Sequence, residues 1–223
     1  MQLQARHRVW DLPSRLSHWA LAILILAQFA SGLFDLLPMS LHVWGGYAVL
    51  AVALFRVLWG FFGSESARFS HFLRGPADIV RYVRSLGRPA DGYHVGHNPM
   101  GGWSVVALLA ITLAQAGTGL FTGRAGAPLR DLVDGLGRGT GRALADVHEW
   151  LYWFLLRLVL AHVAAAVFYL VVRRQNLIVP MFGDGRVPLA RDPALRFAGA
   201  GRALVLLAIS VAAVAAAVVV RNG

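Results

Sequence analysis

HEWLYWFLLRLVLAH, residues 148–162, is an apolar segment with a histidine at each end. Fourteen helical steps of about 100° fall about 40° short of four full turns, so both imidazoles leave the helix on nearly the same face. The same steps rise about 21 Å, which is most of the way across a hydrocarbon core of about 30 Å. The segment therefore predicts a membrane-spanning helix with one ionisable ring toward each membrane surface.

The composition also indicates an integral membrane protein. The 223 residues are 57% hydrophobic and 14% charged, whereas soluble domains average about 25% charged residues. The absence of cysteine excludes disulfides, haem attachment through C-x-x-C-H and thiolate-bound iron–sulfur clusters. All 21 basic residues are arginine, and in so apolar a chain we assign them to cytoplasmic loops rather than to nucleic-acid binding.

Five apolar segments are long enough to cross a bilayer, at residues 18–37, 42–62, 101–121, 147–172 and 203–220. With the N-terminus inside, the cytoplasmic segments hold fourteen arginines and the outer segments hold five. This bias places the N-terminus in the cytoplasm and the C-terminus in the periplasm of a bacterial inner membrane. The first segment follows three arginines, as in a signal peptide, but its full length predicts a retained span.

Two loops carry recognisable patterns. Residues 74–88 alternate apolar side chains and arginines in a way that predicts a short helix on the cytoplasmic membrane surface. The outer loop at residues 122–146 is rich in glycine, and a short helix is expected at residues 129–136.

Four histidines fall at two depths of the predicted membrane domain. His18 and His162 lie toward the cytoplasm, whereas His42 and His148 lie toward the outer surface. We expect His42 to pair with His148 and His18 with His162, which would form two bis-imidazole haem sites. The competing functional interpretation is a metal-transport path, which would favour carboxylates beside the histidines. Glu149 is the one carboxylate residue that lies close to these histidines in sequence within the spans. A lone histidine near a helix end is more often an interfacial polar residue.

The fourteen-residue interval recurs on the first two spans. Gly32 follows His18 by fourteen residues, and a glycine at the outer depth would let a flat macrocycle approach the backbone. Arg56 follows His42 by the same interval, and a haem propionate or a quinone headgroup would suit its charge at the inner depth. Arg15, one turn before His18, is a further candidate for an inner propionate.

Two arginines and a histidine are less easily placed. Arg142 is a candidate contact of the outer haem. Arg157 is turned about 140° from His162 and should point away from the haems, and Gln28, Gln115 and Thr118 are its candidate partners. His97 stands in a Gly-His-Asn-Pro stretch, which is typical of a structural turn or of a position near a cytoplasmic quinone pocket.

Several motifs together are similar to a known family. They are VWDLPSR at 9–15 with HW at 18–19, LHVWGGY at 41–47, FR at 55–56 with WG at 59–60, GHNPMGG at 96–102, HE at 148–149 and LAHV at 160–163. Over residues 8–187 the chain resembles the bacterial cytochrome b561 and NiFe-hydrogenase b-type cytochrome family. The resemblance implies an all-α membrane protein, with a four-helix bundle that binds two haems b through His18, His42, His148 and His162.

The resemblance also implies a function and a domain division. Residues 1–187 would form the dihaem domain, and residues 188–223 a linker with an additional membrane helix, for anchoring or partner contact. The domain would carry electrons between the quinone pool and a redox partner such as a hydrogenase, a dehydrogenase or a c-type cytochrome. The alternative is a stand-alone superoxide:quinone oxidoreductase or quinol-linked reductase, with Arg138 and Arg142 attracting a small anion. A non-redox transporter or scaffold would be colourless.

Overall fold

A computed structural model describes residues 5–34, 36–87, 92–122 and 138–219, with the side chain of residue 138 left out. In chain order its helices are α1 (Leu12–Phe34), α2 (Met39–Phe62), a 3₁₀ turn (Glu65–Ala67), α3 (Phe69–Phe72), α4 (Pro76–Ser85), α5 (Pro99–Gly119), α6 (Arg138–Val171), α7 (Val179–Phe182) and α8 (Ala200–Val219). Helices α1, α2, α5, α6 and α8 are each long and apolar enough to cross a membrane. The helical character of all five predicted spans is confirmed.

Helices α1 and α6 begin six and nine residues before the predicted spans, and the other three begin two or three residues before them. Helix α1 begins at Leu12 because the Asp11 carboxylate accepts a hydrogen bond from the Ser14 backbone N–H at 2.7 Å, which caps the first turn. Helix α6 begins at Arg138, nine residues before the apolar segment. The short helix predicted at residues 129–136 lies outside the described residues.

Helix α2 is the centre of the helix packing. It contacts α1, α5 and α8, and α5 in turn contacts α6. Phe55 and Trp59 of α2 form a core cluster with Leu206 of α8. A hydrogen bond just before α8 also holds this helix in place: the Ala198 N–H donates to Ser64 Oγ at 3.0 Å. Helix α8 therefore covers one side of α2, away from the histidines of α6.

Helix α4 confirms that the segment predicted to lie on the membrane surface is helical; its cytoplasmic position stays a prediction. Its Val80 and Val83 side chains are exposed. The Tyr82 hydroxyl bonds the Tyr169 hydroxyl of α6, which also accepts from Asn98 Nδ2 at 3.0 Å. Burial and the bond to Tyr169 raise the pKa of Tyr82. These contacts hold α4 against the start of α5 and the end of α6.

A small β-ribbon was not predicted from the sequence. Strand β1 (Arg6–Arg8) pairs antiparallel with β2 (Arg186–Pro188), with His7 opposite Val187. Beside it, the Trp19 indole N–H of α1 donates to the Met181 carbonyl of α7 at 3.0 Å. This clasp, formed by β1, β2 and α7, ties the start of α1 to the chain that follows α6.

Candidate functional site

The four histidines meet in two pairs. The ring centroids of His42 and His148 are 6.5 Å apart, and those of His18 and His162 are 6.2 Å apart. The structure thus brings together the histidines that the sequence predicts to share a depth. Their role as ligands stays a prediction.

The separation within each pair suits a metal between the rings. An imidazole nitrogen lies about 2 Å from a metal that it binds. Two rings on opposite sides of one ion therefore have centroids about 6 Å apart, close to both measured values. Within the described ranges, no group of three or more His, Asp or Glu residues could hold a metal ion. A donor set of two imidazoles fits haem, which brings four equatorial ligands of its own.

Hydroxyl groups fix the tautomers of the outer pair. Ser31 Oγ lies 2.8 Å from Nδ1 of His42 and donates to the Gln28 carbonyl. Thr118 Oγ1 lies 3.1 Å from Nδ1 of His148 and donates to helix carbonyls one turn earlier. Because each hydroxyl proton is already engaged, each hydroxyl accepts from Nδ1–H. The basic nitrogen of both rings is then Nε2, and imidazole binds metals through such a nitrogen while its other ring N–H donates to an acceptor.

A cavity of about 500 Å³ surrounds the outer pair, in the size range of cofactor sites. It is lined by α1, α2, α5 and α6, and it includes Gly32 and Gly119. A Cβ atom at Gly32 would lie 3.4 Å from Cε1 of His42, and one at Gly119 would lie 3.2 Å from Cε1 of His148. Gly32 is therefore beside the His42 ring itself. The matching role of Gly119 was not predicted.

Unpartnered polar atoms mark the inner level. His18 Nδ1, Arg56 Nη1 and His97 Nδ1 are buried, and none has a hydrogen-bond partner among the described residues. Buried polar atoms are normally satisfied, so three such donors near one another favour a ligand that carries acceptor oxygens. Beside them, the buried Asp11 carboxylate accepts from the Trp59 indole N–H at 3.0 Å. The sequence contained a signal for Asp11, since an acidic residue directly precedes the first helix.

The comparisons agree with these geometric features. Residues 9–184 match the model of the family described as prokaryotic cytochrome b561. The chain belongs to that family. It is 25% identical to the probable Ni/Fe-hydrogenase B-type cytochrome subunits of Azotobacter vinelandii and Azotobacter chroococcum mcd 1, over 80% of this chain and 88% of each relative. No solved structure matches it significantly.

Membership of the cytochrome b561 family has two direct consequences. It implies haem b as the cofactor, which fits the paired imidazoles and the Nδ1–H tautomers of the outer pair. Together with the five apolar helices, it also makes the cytochrome a multi-pass membrane protein.

Two arginine predictions for this cytochrome b561 family member can be set against the structure. A guanidinium N–H of Arg15 donates to the Gly183 carbonyl of the clasp, whereas its buried Nε has no hydrogen-bond partner among the described residues. The predicted contact of Arg15 with a propionate stays a prediction. Arg157 is exposed, and its Nη1 lies 3.4 Å from the Trp153 carbonyl of its own helix. Two of its three predicted partners, Gln115 and Thr118, contact His148 instead.

The outer basic patch is described only in part. Arg142 is exposed near the start of α6, and the side chain of residue 138 lies outside the description. The patch and the predicted outer-haem contact of Arg142 therefore stay predictions.

If His42 and His148 hold a haem, removing the Ser31 hydroxyl should raise the reduction potential of that haem. Without this hydroxyl as an acceptor for Nδ1–H, the His42 imidazole becomes a weaker base and favours the oxidised iron less. The loss of a hydrogen bond worth about 1 kcal/mol corresponds to a shift of about 40 mV in the reduction potential of a one-electron couple. Redox titration of the haem α band in Ser31→Ala checks this. Ser210→Ala removes a buried hydroxyl of α8 as the control, and an equal shift in both variants would contradict the assignment.

His97 should make the stability of this cytochrome sensitive to acid. The ring lies between Trp10 and Phe72, and burial, followed by the charges of Arg56 and His162, lowers its pKa from 6.5 to about 3. Below pH 6.5 the unfolded chain therefore binds a proton that the folded chain does not. When the pH is lowered from 7.5 to 5.5, the free energy of unfolding of the wild type should fall by about 1.4 kcal/mol more than that of His97→Leu. Unfolding midpoints in detergent at both pH values test this, and equal losses would refute it.

Proposed function

We propose that this protein is a dihaem b-type cytochrome that carries electrons across the membrane between quinone and a redox partner protein. The observation that carries the proposal is the pair of histidine sites at two levels of one helix bundle. On α6 the two levels are fourteen residues apart, a rise of about 21 Å. Electrons entering at one membrane surface would thereby be passed toward the other.

The residues at the two levels have distinct tasks in this proposal. His42 and His148 would hold the outer haem, and His18 and His162 the inner haem. When bound, the haems supply one-electron redox chemistry. With both axial positions held by imidazole, the protein favours electron transfer over oxygen binding.

The inner level suits a quinone exchange site. Arg56 Nη1 and His97 Nδ1 are buried donors without hydrogen-bond partners in the described residues. Quinone oxygens or a haem propionate would accept from them. The unequal distribution of arginines supports a position of this level on the cytoplasmic side of a bacterial inner membrane.

A hydrogenase is the partner class that the comparisons favour. Both curated relatives are named as Ni/Fe-hydrogenase B-type cytochrome subunits. We therefore propose that a hydrogenase exchanges electrons with the outer haem, so the chain is an electron-transfer subunit rather than a self-contained enzyme.

The test uses the purified full-length protein in detergent. We expect two haems b per chain by pyridine haemochrome assay, and rapid appearance of the reduced α band on addition of a short-chain quinol. A protein without haem would refute the proposal. Haem that superoxide reduces rapidly and quinol does not would favour a stand-alone superoxide oxidoreductase instead.

A further inference from the structure

Arg157 lies on the outward face of α6, near the middle of the membrane. It follows His148 by nine residues, so it lies about 14 Å deeper along the helix and is turned about 180° away. The side chain is exposed, and its Nη1 makes a long contact of 3.4 Å to the Trp153 carbonyl. A guanidinium carries five N–H donors, so this contact leaves most of its hydrogen-bonding capacity unused.

A guanidinium at this depth is costly when it faces lipid. Insertion measurements show that a charged residue at a helix centre carries a free-energy penalty, and simulations give a larger one. Arginines near helix ends reduce this cost by reaching the headgroups. Arg157 is about 15 Å along the helix from residue 147, where the predicted span begins. At this depth the guanidinium cannot readily reach the headgroups. A hydrogen-bonding partner at the depth of Arg157 is therefore favoured.

The chain has no suitable counter-charge of its own. Among its five apolar helices, only α6 contains acidic residues, namely Asp146 and Glu149. Both lie at least eight residues, or about 12 Å, closer to the outer surface than Arg157. A parallel second copy would bring another guanidinium to the same depth. The missing carboxylate must therefore come from a different chain.

The surface around Arg157 is suited to a neighbouring helix. Trp150 and Phe154 are exposed on one side of it, and Ala161 and Ala164 are exposed on the other. Small residues allow two helix backbones to approach closely in a membrane. We propose that this Arg157 face, formed by these five residues, binds a membrane-spanning helix of another protein that carries a carboxylate at mid-depth. The guanidinium and the carboxylate form a charge-assisted hydrogen-bonded pair.

A model peptide tests the chemistry of the partner directly. The probe is a leucine-rich membrane-spanning peptide with one central glutamate and a donor dye, and its matched forms carry glutamine or leucine at that position. The full-length protein receives an acceptor dye at Ala143→Cys, which gives a single label site because the chain has no cysteine. Both are reconstituted in phosphatidylcholine vesicles, and association is measured by energy transfer. We expect the glutamate peptide to bind about tenfold more tightly than the leucine peptide.

Variants separate this pairing from general helix association. Arg157→Leu should abolish the preference for glutamate, and Arg157→Lys should keep part of it. Arg81→Leu, which removes an exposed arginine of α4, should leave it unchanged. Equal binding of the glutamate and leucine peptides to the wild type would overturn the proposal, as would a preference that survives Arg157→Leu. The proposal would also be overturned if the glutamine peptide bound as tightly as the glutamate peptide. Energy transfer between copies of the chain that depended on Arg157 would overturn it as well. Unchanged haem content and helical circular dichroism establish that each variant is folded.

Discussion

Replacing His148 with alanine should halve the haem content of the purified protein, from two haems to one per chain. The His42 ring would then face an alanine side chain in place of the second imidazole. The inner pair, His18 and His162, should keep its haem because those rings lie at a separate level. We expect transmembrane electron transfer to fall to background, since the outer end of the path is lost. Haem assay and the reduced α band measure both effects.

The reciprocal variant and a histidine control complete this experiment. His18→Ala should remove the inner haem and leave the outer haem in place. His7→Ala alters a histidine of the β-ribbon, where Nδ1 lies 3.6 Å from Asp192, and should retain both haems. Loss of both haems from either ligand variant would contradict two independently assembled sites.

Replacing Asp11 with alanine should lower the free energy of unfolding by about 3 kcal/mol. The change removes the cap on the first turn of α1 and leaves the buried Trp59 indole N–H without its acceptor. It also removes a negative charge that acts favourably on the buried Arg56 guanidinium. Denaturant unfolding in detergent, followed by circular dichroism, measures the loss.

A double-mutant cycle assigns part of this loss to the indole bond. In the Trp59→Phe background the same Asp11→Ala change should cost less by about 1–2 kcal/mol, because no donor is then left unpaired. Asp78→Ala removes an acidic residue from the first turn of α4, where it pairs with exposed Arg81, and should cost under about 1 kcal/mol. Additive losses at Asp11 and Trp59 would rule out a coupled pair.

The sequence predicts the helices and the histidine pairs well because the membrane restricts the alternatives. A span must be apolar and helical, so depth follows from position along the chain. His18 and His162 could therefore be matched although they lie far apart in sequence. The helical period also predicts that Arg157 faces away from the histidines, and its side chain is exposed.

Other features depend on how neighbouring helices are rotated and shifted, which no single segment encodes. Ser31 reaches His42 because α1 and α2 pack in one particular register, and Thr118 reaches His148 for the same reason on α5 and α6. Local spacing placed Arg15 beside His18, but Gly183, which lies 168 residues further along the chain, supplies its contact. Long-range backbone partners of this kind have no signature in composition or periodicity.

The clasp gives the protein an order of assembly. Arg6 of β1 and Arg186 of β2 are in contact across 180 residues of chain. At a synthesis rate of about 5–20 residues per second, β1 waits roughly ten seconds or longer for its partner strand. By then all four histidines have been synthesised, but the clasp between the start of α1 and the chain after α6 has not yet formed. The level of His18 and His162 is therefore enclosed later in synthesis than its own residues are made.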